Sequence, residues 1–417
     1  MSKIAIVGGG ISGMTAAYFL NERHNVTLFD ANDYLGGHTH THSLEADGAF
    51  WAVDSGFIVF NDKTYPNFRK LLKKLDVTSR PTTMSFSVKS ESDDLEYNGT
   101  SINSLFAQRR NIVRPRFWRM VKGILAFNEE CKRIIRLSPT DETLGDFLRR
   151  LNFPEELGTF YIKPMTAAVW STGTKKVEEM PIHFLARFFD NHGFLNIDDR
   201  PQWYTVLGGS QSYVRKICER LGSAIRINCR VKKVSRDSEG VTIELQSGEK
   251  QRFDQVILAC HSDEALAMLS DPTHSETQVL GSIPYSKNQI IIHSDTYLMP
   301  KRKLAWAAWN YNLFDRETDE VAVTYNMNIL QGLTCKTQFL VSLNCERHID
   351  PAKIIKRLTY NHPVYTVSTV SAQSMHAEIS GVNRTHYCGA YWGNGFHEDG
   401  VVSALRVVKI LDPSAEF

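Results

Sequence analysis

The chain has 417 residues, 42% hydrophobic and 23% charged, ordinary values for a globular protein with room for about two to three domains. Lys plus Arg total 48 against 46 Asp plus Glu, a net charge of +2 that excludes a generally basic nucleic-acid coat and an acidic solvating tail. Seven scattered cysteines without a Cys-x-x-Cys pair disfavour a disulfide framework and a thiolate zinc site, and fit a reducing cytoplasm. The first apolar run, 4–7, leads straight into a glycine loop, so no signal peptide is expected. No run of about 18 apolar residues predicts a membrane span.

Residues 3–7 read as a short buried strand. Gly8-Gly9-Gly10-Ile11-Ser12-Gly13 follows at once, then a helix over 14–23 and a strand over 25–30. Strand, glycine turn, helix and strand within about 30 residues form the setting in which Gly-x-Gly-x-x-Gly cradles a dinucleotide. Gly8 permits the tight turn. Gly10 lets the backbone approach a diphosphate with no Cβ in the way, and Gly13 lets the helix pack close to the strand. Free amides at the helix start, at Ile11 and Ser12, favour the diphosphate. Asp30 ends the second strand, where a carboxylate can accept from a ribose hydroxyl. A second glycine pair, Gly36-Gly37-His38, allows another close backbone pass, and Gly56-Phe57-Ile58 follows as a strand and bend.

Further along, Gly208-Gly209 opens a helix over 211–221. A strand pair over 224–234 and 240–245 would carry Val231 past the adenine, and 254–260 reads as a buried strand. Near the end, an apolar strand stops at Gly389. An aromatic and glycine loop with Tyr391, Trp392 and His397 leads to Asp399-Gly400-Val401 and a helix over 401–411. Asp399 suits an N-cap, leaving amides at Gly400 and Val401 facing outward, where they can stabilise an electron-rich ring edge.

These phrases resemble the flavin amine oxidase and phytoene desaturase superfamily. DSGFIVFN, TYPN, ACHSDEAL, HSDTYLMP, AWAAWNY and GFHEDG are similar to a bacterial group of FAD proteins found beside cyclopropane-fatty-acid-synthase-type methyltransferases. The resemblance implies an α/β fold: a Rossmann-like FAD domain of glutathione-reductase type, interleaved with an α+β substrate domain of amine-oxidase-like type. The FAD domain is expected at 1–75, 206–265 and 381–417, and the substrate domain at 76–205 and 266–380. It further implies noncovalent FAD. The family usually has Arg after the second glycine pair, where this chain has His38, and two glycines where it has Gly56-Phe57.

Amine oxidation in that family uses a lysine on a strand and an aromatic pair around the amine. A gap-free comparison over 283–290 puts Ile290 at the lysine position, and Lys287 faces the other way by strand alternation. His397 stands at the second aromatic position. It is a candidate base or polar anchor, and Tyr391 and Trp392 are candidates beside the ring; a helix-start histidine bonded to backbone is the plainer alternative. The leading expectation is oxidation or desaturation of a hydrophobic, lipid-linked substrate. The alternatives are amine or amino-acid oxidation and a noncatalytic flavin-binding partner of a lipid-modifying enzyme.

His38, His40 and His42 alternate and would share a strand face, though no metal site is expected there. Residues 108–136 carry nine cations against two glutamates, +7, interleaved with aromatics. Such a segment is either a peripheral contact with anionic lipid or a solvated basic face. No nucleic-acid partner is expected.

Overall fold

The structure, a computed structural model, describes residues 1–196, 200–314 and 321–416. A five-stranded parallel sheet has the spatial order Ile225–Arg226, Asn25–Phe29, Lys3–Val7, Gln255–Leu258, Thr385–Tyr387. Its strands thus come from three distant parts of the chain. The helix Ile11–Leu20 is buried along its whole length. An all-round apolar helix is stable only when covered on every side. Here it packs against the helices Gln211–Leu221 and His397–Leu411. Each fully buried Leu, Ile or Phe in such a layer contributes about 1.5–3 kcal/mol.

The helix begins at Ile11 and ends at Leu20, earlier at both ends than the expected 14–23. The expected strand over 224–234 is two strands. Ile225–Arg226 joins the parallel sheet, whereas Val231–Arg236 pairs antiparallel with Val241–Leu245, which pairs in turn with Lys250–Phe253.

A seven-stranded sheet has the order Ile354–Pro363, Tyr285–His293, Leu340–Leu343, Val323–Asn326, Trp309–Leu313, Phe86–Ser90, Leu95–Asn98. Helices including Pro115–Ile134, Lys163–Trp170 and Ile182–Asn191 share one large apolar cluster with this sheet. Among the described residues, no helix is long and apolar enough to cross a membrane.

Candidate active site

The first glycine turn follows the strand Lys3–Val7. Gly8 sits at φ +108°, a conformation that favours glycine, and its N–H donates to Phe29 O at 2.8 Å. A Cβ on Gly13 would overlap Gly8 O, so the helix–strand approach itself demands glycine there. Gly10 differs: a Cβ there would meet nothing within 4 Å. The protein leaves this space open. The helix start beside it has no capping side chain and no acidic residue in its first turn, so its amides are free for an anion.

The second glycine pair is zipped onto the first. Gly36 N–H donates to Gly9 O at 2.8 Å, and a Cβ on Gly37 would lie 3.3 Å from Gly10 Cα. Asp30 accepts from the N–H groups of Gly9 at 2.7 Å and Asn32 at 2.8 Å. Burial raises its pKa against those bonds. Cys229 N–H donates to Asp30 O, which brings the 226–231 run, including Val231, alongside that carboxylate.

The next wall is made by two antiparallel runs. Ser55 N–H donates to His40 O and Phe57 N–H to His38 O, and a Cβ on Gly56 would overlap His38 O. Ile58 O accepts from Thr205 Oγ1 at 2.9 Å. Asp54, which the sequence reading passed over, anchors this wall. Its buried carboxylate accepts from Thr41 Oγ1, from Ser210 N–H and Oγ, and from Gln331 Nε2. Burial still lifts its pKa to about 6.

The tail closes the cradle. The last helix starts at His397, with Phe396 as its N-cap residue, rather than at 401. Asp399 is therefore not the N-cap. Its carboxylate reaches back from the first turn to accept from Phe396 N–H at 2.9 Å, and burial lifts its pKa to about 6. Glu398 turns outward and accepts from Asn67 N–H and Nδ2 and Phe68 N–H, capping the helix Pro66–Lys74. A Cβ on Gly400 would lie 2.7 Å from Ile11 Cγ2, and Val401 is fully buried. The first turn of the last helix thus packs against the start of the helix Ile11–Leu20. Gly400 N–H, expected to face outward, donates to Phe396 O at 3.1 Å because the helix begins four residues earlier than expected. Gly389 N–H donates to Ser403 Oγ, tying the preceding strand to the same helix.

The three catalytic candidates lie in different surroundings. His397 Nε2 meets Tyr213 OH at 3.0 Å and Thr39 Oγ1 at 2.9 Å, and its ring stacks on Phe57. Burial pushes its pKa down to about 3. Its partners are therefore side-chain hydroxyls, not the backbone. Tyr391 and Trp392 pack in the apolar cluster with Tyr387 and Ile379. Tyr391 OH and Trp392 Nε1 are buried without a hydrogen-bond partner among the described residues. Of the three alternating histidines, only His42 lies in a strand, Thr41–Ala46. Among the described residues no group of three or more His, Cys, Asp or Glu is arranged to hold a metal.

Residues 11–296 match the family described as flavin containing amine oxidoreductase. The chain belongs to that family. Its cofactor is FAD, and the open, anion-favouring cradle at Gly10 and Gly37 fits the diphosphate of that cofactor. An L-amino-acid oxidase of Siganus canaliculatus is 22% identical over 324 residues, 70% of this chain and 56% of the relative. The chain thus spans little more than half the length of that relative. The fold is similar to that of cyclohexylamine oxidase from Brevibacterium oxydans IH-35A, with TM-score 0.71, 16% identity and 99% of each chain covered. It is equally similar to a CLA-producing fatty acid isomerase from P. acnes, with TM-score 0.70, 16% identity and 99% of each chain covered.

Proposed function

We propose that this family member oxidises or desaturates a hydrophobic, fatty-acyl-type substrate. The observation that carries the reading is the apolar, aromatic character of the layer between the seven-stranded sheet and the helices. Tyr161, Tyr325, Trp309, Phe184 and Phe396 are half-buried against this apolar cluster. The strand Tyr285–His293 contributes Ile290 and Ile292 to this cluster, while Lys287 is exposed. An apolar wall favours an alkyl chain, and an acyl chain gains about 0.8 kcal/mol per buried methylene.

Bound in its cradle, FAD supplies a two-electron acceptor for a hydride from a substrate C–H bond. This chain's residues bind, orient and exclude water. In this reading Gly8, Gly10, Ile11, Ser12, Gly13, Gly36, Gly37 and His38 border the diphosphate, and Asp30 and Val231 the adenosine. Gly56, Phe57, Ile58, Gly389, Asp399, Gly400 and Val401 border the ring, with Tyr391 and Trp392 beside it. His397, neutral and held by two hydroxyls, positions Phe57. Cys388 is buried and its thiol is pushed up to about 12, which leaves no thiolate for covalent attachment and supports noncovalent FAD.

Anaerobic mixing tests the substrate. Methylated or unsaturated fatty acyl lipids should bleach the flavin absorbance, and a panel of amines and amino acids should not. Bleaching by an amine with none by any lipid would overturn the reading in favour of amine oxidation, the activity named for several relatives. A flavin that no substrate bleaches, in a protein that still binds a lipid-modifying enzyme, would favour the noncatalytic alternative.

Access from a membrane fits the same reading. Ile102 and Val113 are 79% and 80% exposed, and Ile112 and Trp118 adjoin them. Trp118 Nε1 donates to Ile112 O, which knits this apolar tip together. The +7 of residues 108–136 is less free than the sequence implies. Arg110 and Arg114 pair with Asp94, Arg116 with Asp93, and Arg119 with Glu156. The Asp94 pairs are exposed and worth about 0–1 kcal/mol, so lipid phosphates can replace that acid at little cost, whereas Asp93 and Glu156 are largely enclosed and hold their arginines.

A further inference from the structure

Beside the glycine pair that closes the cradle lies a trio of imidazoles. His38 follows Gly37 directly. Its ring centroid is 5.2 Å from that of His362 and 6.4 Å from that of His261. Three distant parts of the chain supply the trio: the glycine loop, the strand Ile354–Pro363, and the turn after the strand Gln255–Leu258. His38 Nε2 is buried and has no hydrogen-bond partner among the described residues. A buried polar atom left unmatched by its own protein is a mark of a ligand-facing site.

The surroundings define the charge state of His38 and His362. His362 Nδ1 faces Asn288 Nδ2 at 3.0 Å. Asn344 Nδ2 donates to Asn288 Oδ1 at 2.9 Å, which orients the Asn288 amide so that its N–H donates to His362. His362 therefore carries its own proton on Nε2 when neutral. Tyr360 packs on His38 at 4.8 Å, and Tyr285 stacks on His261 at 4.4 Å. His397 faces His38 from the last helix, and Cys260, Asp263 and Glu264 lie around Tyr285 and the His261 turn. Among the described residues no carboxylate is hydrogen-bonded to any of the three rings. Burial first, then mutual repulsion, pushes His38 well down and His362 to about 4. Among the described residues these rings are not arranged to hold a metal ion.

The diphosphate of FAD brings negative charge to a cradle that lacks the guanidinium found after the second glycine pair in similar proteins. An oxyanion beside a neutral imidazole favours its protonated form. We propose that the His38–His362 pair supplies the countercharge of the FAD diphosphate by taking up a proton as the cofactor binds. The balance is simple: apoprotein with His38 and His362 neutral, plus FAD, plus one proton from solvent, gives a complex with one imidazolium on that pair. No electrons move. The inference rests on reading the Gly10–Gly37 opening as the diphosphate site.

Calorimetry on apoprotein tests it. FAD is titrated between about pH 6 and pH 8.5 in two buffers of different ionisation enthalpy, and Kd is followed by flavin fluorescence. The expected result is uptake of about one proton per FAD, with Kd weakening by up to about tenfold per pH unit. Riboflavin, which lacks the diphosphate, should bind without proton uptake. His38→Arg, with a permanent charge, should flatten the pH dependence and remove the uptake. FAD that binds wild-type protein with no proton uptake across this range overturns the proposal. So does undiminished uptake in the His38→Gln/His362→Gln double variant, which would assign the proton to Asp54 or Asp399. Failure of folded apoprotein to bind FAD at any pH would remove the diphosphate site itself, a distinct result. The wild-type measurement needs no variant to fold.

Discussion

His397 lies flat on Phe57, with ring centroids 3.5 Å apart and planes 10° from parallel. The pair joins the first turn of the last helix to the run that borders the glycine wall. Phe57 stands where related sequences have a second glycine, and His397 where they have an aromatic ring. Each departure from the pattern that the resemblance implies is thus the packing partner of the other.

The first prediction follows from this pair. His397→Gln removes the stack but keeps an amide for Thr39 and Tyr213. It should destabilise the protein by about 1–3 kcal/mol and lower turnover. A positioning residue should leave the pH profile of kcat/KM unchanged in shape, whereas loss of a catalytic base should remove a limb of that profile. Steady-state rates across pH distinguish the two.

Gly10 and Gly13 should fail in opposite ways. Gly10→Ala adds a methyl to open space, so the apoprotein should melt at the wild-type temperature while FAD affinity falls at least about tenfold. Gly13→Ala drives a methyl into Gly8 O, so the fold itself should suffer. Thermal melting of apoprotein, paired with the flavin-to-protein absorbance ratio, reads both. A Gly10→Ala variant with full flavin content would remove the diphosphate from that opening.

Acid should unfold this protein through its buried histidines. His42 and His397 are pushed to about 3, and His192, His293, His362 and His386 to about 4, in each case chiefly by burial. Between an ordinary value of 6.5 and about 4, the unfolded chain binds protons at these sites that the folded chain refuses. Their stability contribution is present above pH 6.5 and is lost as pH falls through that window. Asp54 and Asp399, lifted to about 6, act in the other direction and return part of the loss below that pH. The melting temperature should therefore decline from pH 7 to about pH 4.5. His386→Gln should flatten part of the slope, and a melting temperature that rises over this range would contradict the assignment.

The apolar tip should decide membrane contact. Wild-type protein should pellet several-fold more with anionic than with neutral vesicles, and Ile112→Asp/Val113→Asp should abolish the pelleting. Equal recovery with both vesicle types would remove the anionic-lipid contact.

Much of the cofactor half was legible in the sequence because local backbone chemistry imposes it. Gly8 needs its dihedral and Gly13 its close approach, and both needs are visible in one short motif. The final helix was placed four residues late because an acidic residue in the first turn can look like a cap. Asp399 bonds back to Phe396 N–H, a reach that spacing alone does not separate from capping. The 224–234 run was taken as one strand because its two ends have similar patterns. They divide because they pair with different sheets. Asp54 and the partners of His38 were not found, since their contacts come from residues such as Ser210, Gln331 and His362, far away in sequence.

The strand Thr385–Tyr387 pairs with Gln255–Leu258, which pairs with Lys3–Val7, and Gly400 rests on Ile11. The first nucleotide-gripping turn is therefore translated long before the segment that completes it. Such pairing between remote segments slows folding, because the connecting chain must be closed before its contacts stabilise it. On the ribosome, the opening residues must wait until those near 400 have cleared the exit tunnel. The grip on the phosphates is accordingly finished last, by a segment remote from the turn that begins it.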